Sequence, residues 1–164
     1  MRLRMLKGLS ANTIAEVYSQ LHLHKGVSEL CSWLHGHKIP IYVVSGGFSF
    51  FCEYVAQIIG ATAWEANRVD IVNHKLTGEI SAPLVGRKEK CFWFEKICQE
   101  HHINPAKTVM VGDGANDRDI MEASGLAVGF QPKEVLFPLI HVYNGTESHK
   151  CLIDFFEEEV PYVI

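Results

Sequence analysis

Long apolar runs are missing from this 164-residue chain: no stretch approaches the roughly 18–20 consecutive apolar residues of a membrane-spanning helix. No basic run is present either, and the net charge of -4 argues against a nucleic-acid partner. Cysteine is sparse and unpaired in pattern. Cys31, Cys52, Cys91, Cys98 and Cys151 are odd in number and contain no C-x-x-C, which suits thiols packed as small apolar groups in a reducing cytoplasm. The opening residues 1–7 are basic but run into Gly8, Ser10, Asn12 and Thr13 instead of an apolar stretch, a pattern that argues against a secretory leader. Internal repeats and low-complexity segments are lacking too. What is present is a 48% apolar composition, enough for one sizeable core and one compact domain.

Periodicity divides the chain into alternating elements. Ser10 or Asn12 can cap a short helix reaching about residue 21. Val27, Leu30, Cys31, Trp33 and Leu34 fall on one helical face, which ends near Gly36. The apolar run 41–44 predicts a buried strand, and residues 48–59 a helix stopped by Gly60. Residues 61–80 predict a β-hairpin, with alternation over 64–71 and a turn at Asn73, His74 and Lys75. Residues 87–102 predict a helix with an imperfect apolar face of Phe92, Phe94, Ile97 and Cys98. Residues 108–111 predict a second buried strand, 117–123 a helix and 126–130 a third strand. Strands alternating with helices imply a doubly wound α/β fold with a parallel sheet. Residues 154–164, an acidic triplet among apolar groups, are expected to form a packed terminal element.

Two blocks carry chemistry, V-V-S-G-G-F-S-F-F at residues 43–51 and V-G-D-G-A-N-D at residues 111–117. Each runs from an apolar strand through small residues into a helix, and in open α/β sheets ligands bind at the carboxyl ends of the strands. Glycine lets the backbone approach an anion closely, and the Ser45 hydroxyl adds a donor. A serine-hydrolase elbow is excluded, because G-x-S-x-G needs glycine where Val43 stands. Asp113 and Asp117 lie close together at a strand end, so their repulsion calls for a cation or a donor network. Oxygen ligands of this kind suit Mg²⁺, which takes few carboxylates, several waters and a substrate phosphate. Arg87, Lys88, Glu89 and Lys90 open a helix. A lysine there can neutralise a phosphoryl oxygen, although taken alone either lysine reads as a solvated surface residue. The histidine pairs at 22/24, 35/37 and 101/102 have no cysteine or carboxylate at zinc spacing and read as solvated.

With these blocks in this order, the chain resembles the haloacid dehalogenase superfamily, and within it the phosphoserine phosphatases. V-V-S-G-G-F matches the family's second motif, Lys90 its third, and V-G-D-G-A-N-D with the following A-S-G-L-A-V-G-F its fourth. L-T-G-E at 76–79 is similar to the family's hairpin, and R-L-R-M-L-K-G-L at 2–9 to the end of its helical cap. The resemblance implies a Rossmann-type core over residues 25–164 with a β-hairpin flap, preceded by a cap remnant over residues 1–24. It implies that Ser45 and Gly46 hold the phosphoryl group and Lys90 stabilises its charge. Asp113 would ligate Mg²⁺, Asp117 would support the metal and lysine, and Asn116 would lie near the substrate. Arg2 would pair with the substrate carboxylate, and the implied substrate is L-phosphoserine, hydrolysed to L-serine and phosphate.

The chain departs from the family in one respect. The D-x-D-x-T motif that supplies the nucleophilic aspartate and the acid/base aspartate is absent, and residues 1–44 hold no aspartate. Phosphate-monoester hydrolysis needs accelerations of up to about 10²¹-fold, and this route runs through a covalent aspartyl-phosphate. The missing motif also carries the central first strand. Its loss would open a slot two strand spacings wide, each about 4.8 Å. Unpaired buried backbone groups at about 1–3 kcal/mol each would consume most of a domain's stability. A further segment, or another chain, is therefore expected to fill the sheet. The expected protein is a phosphoserine phosphatase lacking its N-terminal part and inactive by itself. The alternatives are a non-catalytic phosphate-binding or interaction module, or a phosphatase for another small phosphate ester.

Overall fold

The computed structural model describes residues 2–80 and 84–159, the side chains of residues 2, 3 and 159 excepted. In chain order the helices are α1 (Asn12–Tyr18), α2 (Val27–Gly36), α3 (Ser49–Ile59), α4 (Arg87–Glu100), α5 (Arg118–Ala123) and α6 (Cys151–Glu159). The strands are β1 (Tyr42–Phe48), β2 (Ala63–Asn67), β3 (Val69–Val72), β4 (Lys75–Ile80), β5 (Val109–Gly112), β6 (Leu126–Phe130) and β7 (Val142–Asn144). They pack as two compact units. One comprises residues 1–23 and 41–85, the other residues 24–40 and 86–164.

In the first unit β1 and β2 pair in parallel, with Tyr42 opposite Ala63 and Val44 opposite Glu65. The ladder then breaks register and resumes with Phe48 opposite Asn67, so β1 carries extra residues across Ser45, Gly46 and Gly47. The strand thus extends beyond the expected 41–44 and through the glycine pair. Gly60 ends α3 as expected: its φ of +64° is left-handed, and the Ala61 N–H donates to the Ala56 carbonyl at 2.8 Å. The antiparallel hairpin is β3–β4 alone. Residues 64–67, read as part of it, belong to the parallel ladder with β1, because alternation reveals a strand but not its partner. Asn73 and His74 both adopt positive φ, +49° and +58°, the two-residue turn whose twist matches the flanking strands. Neither Ser10 nor Asn12 caps α1: the N-cap position is Ala11, which offers no side-chain acceptor, while Ser10 Oγ accepts locally from the Asn12 N–H at 3.2 Å, and the helix stops at Tyr18. There Tyr18 stacks on Tyr54 of α3 at 4.4 Å.

The second unit holds a three-stranded parallel sheet, β5–β6–β7, whose central strand β6 is packed on both faces. Strand alternation along β6 sorts the layers. Val128 packs with Leu30 of α2 and Leu152 of α6, while Ala127 packs with Met121 of α5 and with Leu136. The terminal element expected over 154–164 is helix α6 as far as it is described; residues 160–164 lie outside the described residues. The reading of residues 108–111 as a buried strand needs correction. Strand β5 spans Val109–Gly112, and Val109 and Val111 are 47% and 37% exposed. An apolar run marks a strand without saying whether both its faces are covered. On α4, likewise, Ile97 and Cys98 are buried but Phe92 is exposed.

Candidate active site

Asp117 is the centre of the second unit's polar arrangement. It closes a 3-10 turn, Ala115–Asp117, directly after β5 and before α5, and is buried. Its Oδ1 accepts from Lys90 Nζ at 2.7 Å. Its Oδ2 accepts from the backbone N–H groups of Asp113 and Gly114 at 3.3 and 3.2 Å. Both oxygens are therefore committed within the protein. Gly112 permits this packing: a Cβ placed on it would lie 2.8–2.9 Å from Asp117 Oδ2, Cβ and Cγ. The motif glycine is thus set by the close approach of a carboxylate.

Lys90 is buried as well, so the reading of this residue as solvated is overturned. It lies one turn into α4, whose start is closed by the Glu89 carboxylate accepting from the Gly86 N–H at 3.0 Å. Helix α4 packs against α5, and a charge-assisted contact joins their first turns. Arg87 Nε donates to Asp119 Oδ1 at 2.6 Å. This bond holds the Asp119 carboxyl below its usual range and raises the Arg87 guanidinium. Lys88 remains exposed.

Asp113 and Asn116 are exposed at the mouth of this turn. The Asp113 carboxylate makes no hydrogen bond or ion pair among the described residues, while its carbonyl accepts from the Lys133 N–H at 2.9 Å. It is the free oxygen donor of the set. No cluster of three or more His, Cys, Asp or Glu able to hold a metal occurs among the described residues. A cation on Asp113 would therefore complete its shell with water and phosphate oxygens, the preference of Mg²⁺.

The first unit holds Ser45 and Gly46. Gly46 is exposed, Ser45 half-buried, and the Gly47 N–H donates to Ser45 Oγ at 3.0 Å. Asn67 at the end of β2, which the sequence did not single out, is buried and donates from Nδ2 to the Gly46 carbonyl at 2.8 Å. With Glu65 in the same strand, a polar residue at its end gave no sequence signal. Asp119 was missed for a different reason: a helix-surface carboxylate gives no hint of its partner on another helix. Arg2 lies in the 3-10 turn Arg2–Leu6, and its side chain falls outside the described residues.

Residues 1–122 match the family described as haloacid dehalogenase-like hydrolase. The chain belongs to that family. It is 38% identical over 152 residues to the phosphoserine phosphatase of Archaeoglobus fulgidus, covering 93% of this chain and 43% of the relative. It is 31% identical over 134 residues to the phosphoserine phosphatase of Saccharomyces cerevisiae, covering 80% of this chain and 43% of the relative. The chain thus spans less than half the length of either relative. Among solved structures it is similar to a phospho-aspartyl intermediate analogue of phosphoserine phosphatase, with TM-score 0.88 and 27% identity over 94% of this chain and 74% of that one. A substrate-bound phosphoserine phosphatase matches with the same TM-score and identity, over 94% of this chain and 73% of that one. The family's fold, α/β with parallel sheets and flanking helices, is the fold seen here. No helix of the described residues is long and apolar enough to cross a membrane.

Proposed function

We propose that this chain carries the phosphate- and metal-binding residues of a phosphoserine phosphatase, with L-phosphoserine as substrate. The observation that carries the reading is the buried Lys90–Asp117 pair, tied to the Asp113 and Gly114 amides, beside the unpartnered Asp113 carboxylate. A buried charge pair of this kind contributes little net stability, and a motif that keeps one beside an open carboxylate is suited to handling a charged ligand.

Each residue has a distinct role in this reading. Lys90 presents its ammonium to a phosphoryl oxygen while Asp117 fixes its direction. Asp113 supplies the carboxylate for Mg²⁺, which when bound offsets phosphoryl charge. Ser45 and Gly46 serve as phosphoryl-group donors, Asn116 borders the substrate, and Arg2 binds its carboxylate. The sequence holds no D-x-D-x-T, so the nucleophile and the acid/base group are not assigned to residues of this chain. Among the described residues β1 pairs with β2 alone and β5 with β6 alone. These one-sided ladders support completion by a strand from another segment or chain. The five free thiols support a reducing, cytoplasmic setting. The missing motif also favours a second reading, a phosphate-binding module without turnover.

Calorimetry of L-phosphoserine binding with and without Mg²⁺, paired with a phosphate-release assay, tests the proposal. Mg²⁺-dependent binding that is lost in Asp113→Asn, with no release from the 164-residue chain alone, is the expected result. Release that disappears in Asp113→Asn would show that another residue of this chain replaces the aspartate nucleophile. Absence of binding would remove the site assignment.

A further inference from the structure

The peptide joining Gly46 to Gly47 is gripped from both sides by side chains. On its carbonyl side Asn67 Nδ2 donates to Gly46 O at 2.8 Å. On its amide side the Gly47 N–H donates to Ser45 Oγ at 3.0 Å. The other end of the same amide group is used too, because Asn67 Oδ1 accepts from the Val85 N–H at 2.6 Å. Asn67 is 4% exposed, so water does not replace these partners. Its orientation is determined by them: a flipped amide would face N–H against N–H at Val85 and oxygen against oxygen at Gly46.

The strand pairing explains why a side chain is needed here. From Val44 to Phe48 β1 advances four residues while β2, from Glu65 to Asn67, advances two. Ser45, Gly46 and Gly47 therefore bulge out of the regular ladder, and their peptide planes are not set by strand pairing. Asn67 sets one of them.

We propose that Asn67 is a positioning residue that aims the Ser45 hydroxyl at an anion, acting through the Gly46–Gly47 peptide. This inference rests on the reading of Ser45 as a phosphate donor. A serine oxygen can accept two hydrogen bonds and donate one. With one acceptor site filled by the Gly47 N–H, the hydroxyl is anchored and its proton is left to donate outward. The sequence Asn67 N–H to Gly46 C=O, then Gly47 N–H to Ser45 O–H, is a continuous chain in which each bond polarises the next. The donor at its end is both oriented and strengthened. A residue that merely braced the fold would stabilise the unit without acting through Ser45.

A double-mutant cycle on inorganic phosphate binding by the full chain, in Mg²⁺, separates the two. Asn67→Asp keeps the acceptor for Val85 but sets an oxygen against the Gly46 carbonyl. Ser45→Ala and Asn67→Asp should each weaken phosphate binding about tenfold, and the double variant by no more than about twofold beyond either. Independent losses that multiply, or unchanged affinity in Asn67→Asp, would overturn the inference while leaving the phosphate site in place. A parent chain that binds no phosphate overturns the site reading and this inference with it. A second measurement needs no change at Asn67. Phosphate should shift the Asn67 side-chain amide resonances in the parent chain and leave them unmoved in Ser45→Ala; equal shifts in both would also overturn it.

Discussion

Lys90 Nζ donates to Asp117 Oδ1 at 2.7 Å, with both side chains only 6% exposed. The two residues come from different helical segments 27 positions apart in sequence, so the pair fixes how α4 meets the turn after β5. Asp117 also accepts two backbone amides from that turn, and one carboxylate thereby sets both the lysine and the loop.

Breaking this pair from one side leaves a buried charge uncompensated. Lys90→Ala should lower stability by about 3–5 kcal/mol, read from urea denaturation. Replacing both partners, Lys90→Met with Asp117→Leu, should cost less than Lys90→Ala alone. A double variant that is less stable than the single one would show that the pair itself contributes net stability.

Gly112→Ala would place a methyl group under 3 Å from the Asp117 side chain. The carboxylate must then move off the Asp113 and Gly114 amides. The expected loss is about 1–3 kcal/mol, with a lower Tm and weaker phosphate binding. An alanine variant of unchanged Tm would mean the approach is looser than the structure shows.

The exposed Arg87–Asp119 contact predicts a titration effect. The hydrogen bond from Arg87 holds the Asp119 carboxyl below 3.8. A depressed acid contributes stability above its unfolded value, and that contribution is lost as pH falls through the lower folded value. In Arg87→Ala, NMR titration of Asp119 should return to the ordinary carboxylate range. Because the pair is solvated, global stability near neutral pH should change little.

His149 predicts an acid sensitivity of its own. Its ring stacks on Phe130 at 3.8 Å, with His24 at 6.2 Å. Burial, then the His24 charge, lower its pKa from 6.5. The unfolded chain therefore binds the proton more readily, and stability present above pH 6.5 falls as pH drops through the lower folded value. His149→Phe, which retains the stack, should flatten this part of the stability profile. An unchanged profile would assign the acid response to another group.

Local chemistry was the legible part of the sequence. Helix α2 with its end at Gly36, α3 with its stop at Gly60, and β6 over residues 126–130 were all readable, because periodicity and helix-stopping glycines act over a few neighbours. The spacing of V-G-D-G-A-N-D likewise placed Asp113 and Asp117 on one turn after a strand. Partner choice was not legible. Residues 64–67 alternate as well for a hairpin as for the parallel ladder with β1 that they form. Lys90 looks like any lysine at a helix start until α4 packs on α5 and closes water away from it.

The sequence by itself determined the alternation of strands and helices as far as β6, the two small-residue turns, and membership of the haloacid dehalogenase-like hydrolases. These follow from interactions between residues close along the chain, or from motifs whose residues are contiguous. Only the tertiary structure decided that Asp117 spends both oxygens inside the protein, leaving Asp113 as the open carboxylate, and that Asn67 holds the Gly46 carbonyl. Those outcomes depend on burial and on donors brought from distant positions. A polar side chain excluded from water must bond whichever partner the fold places beside it.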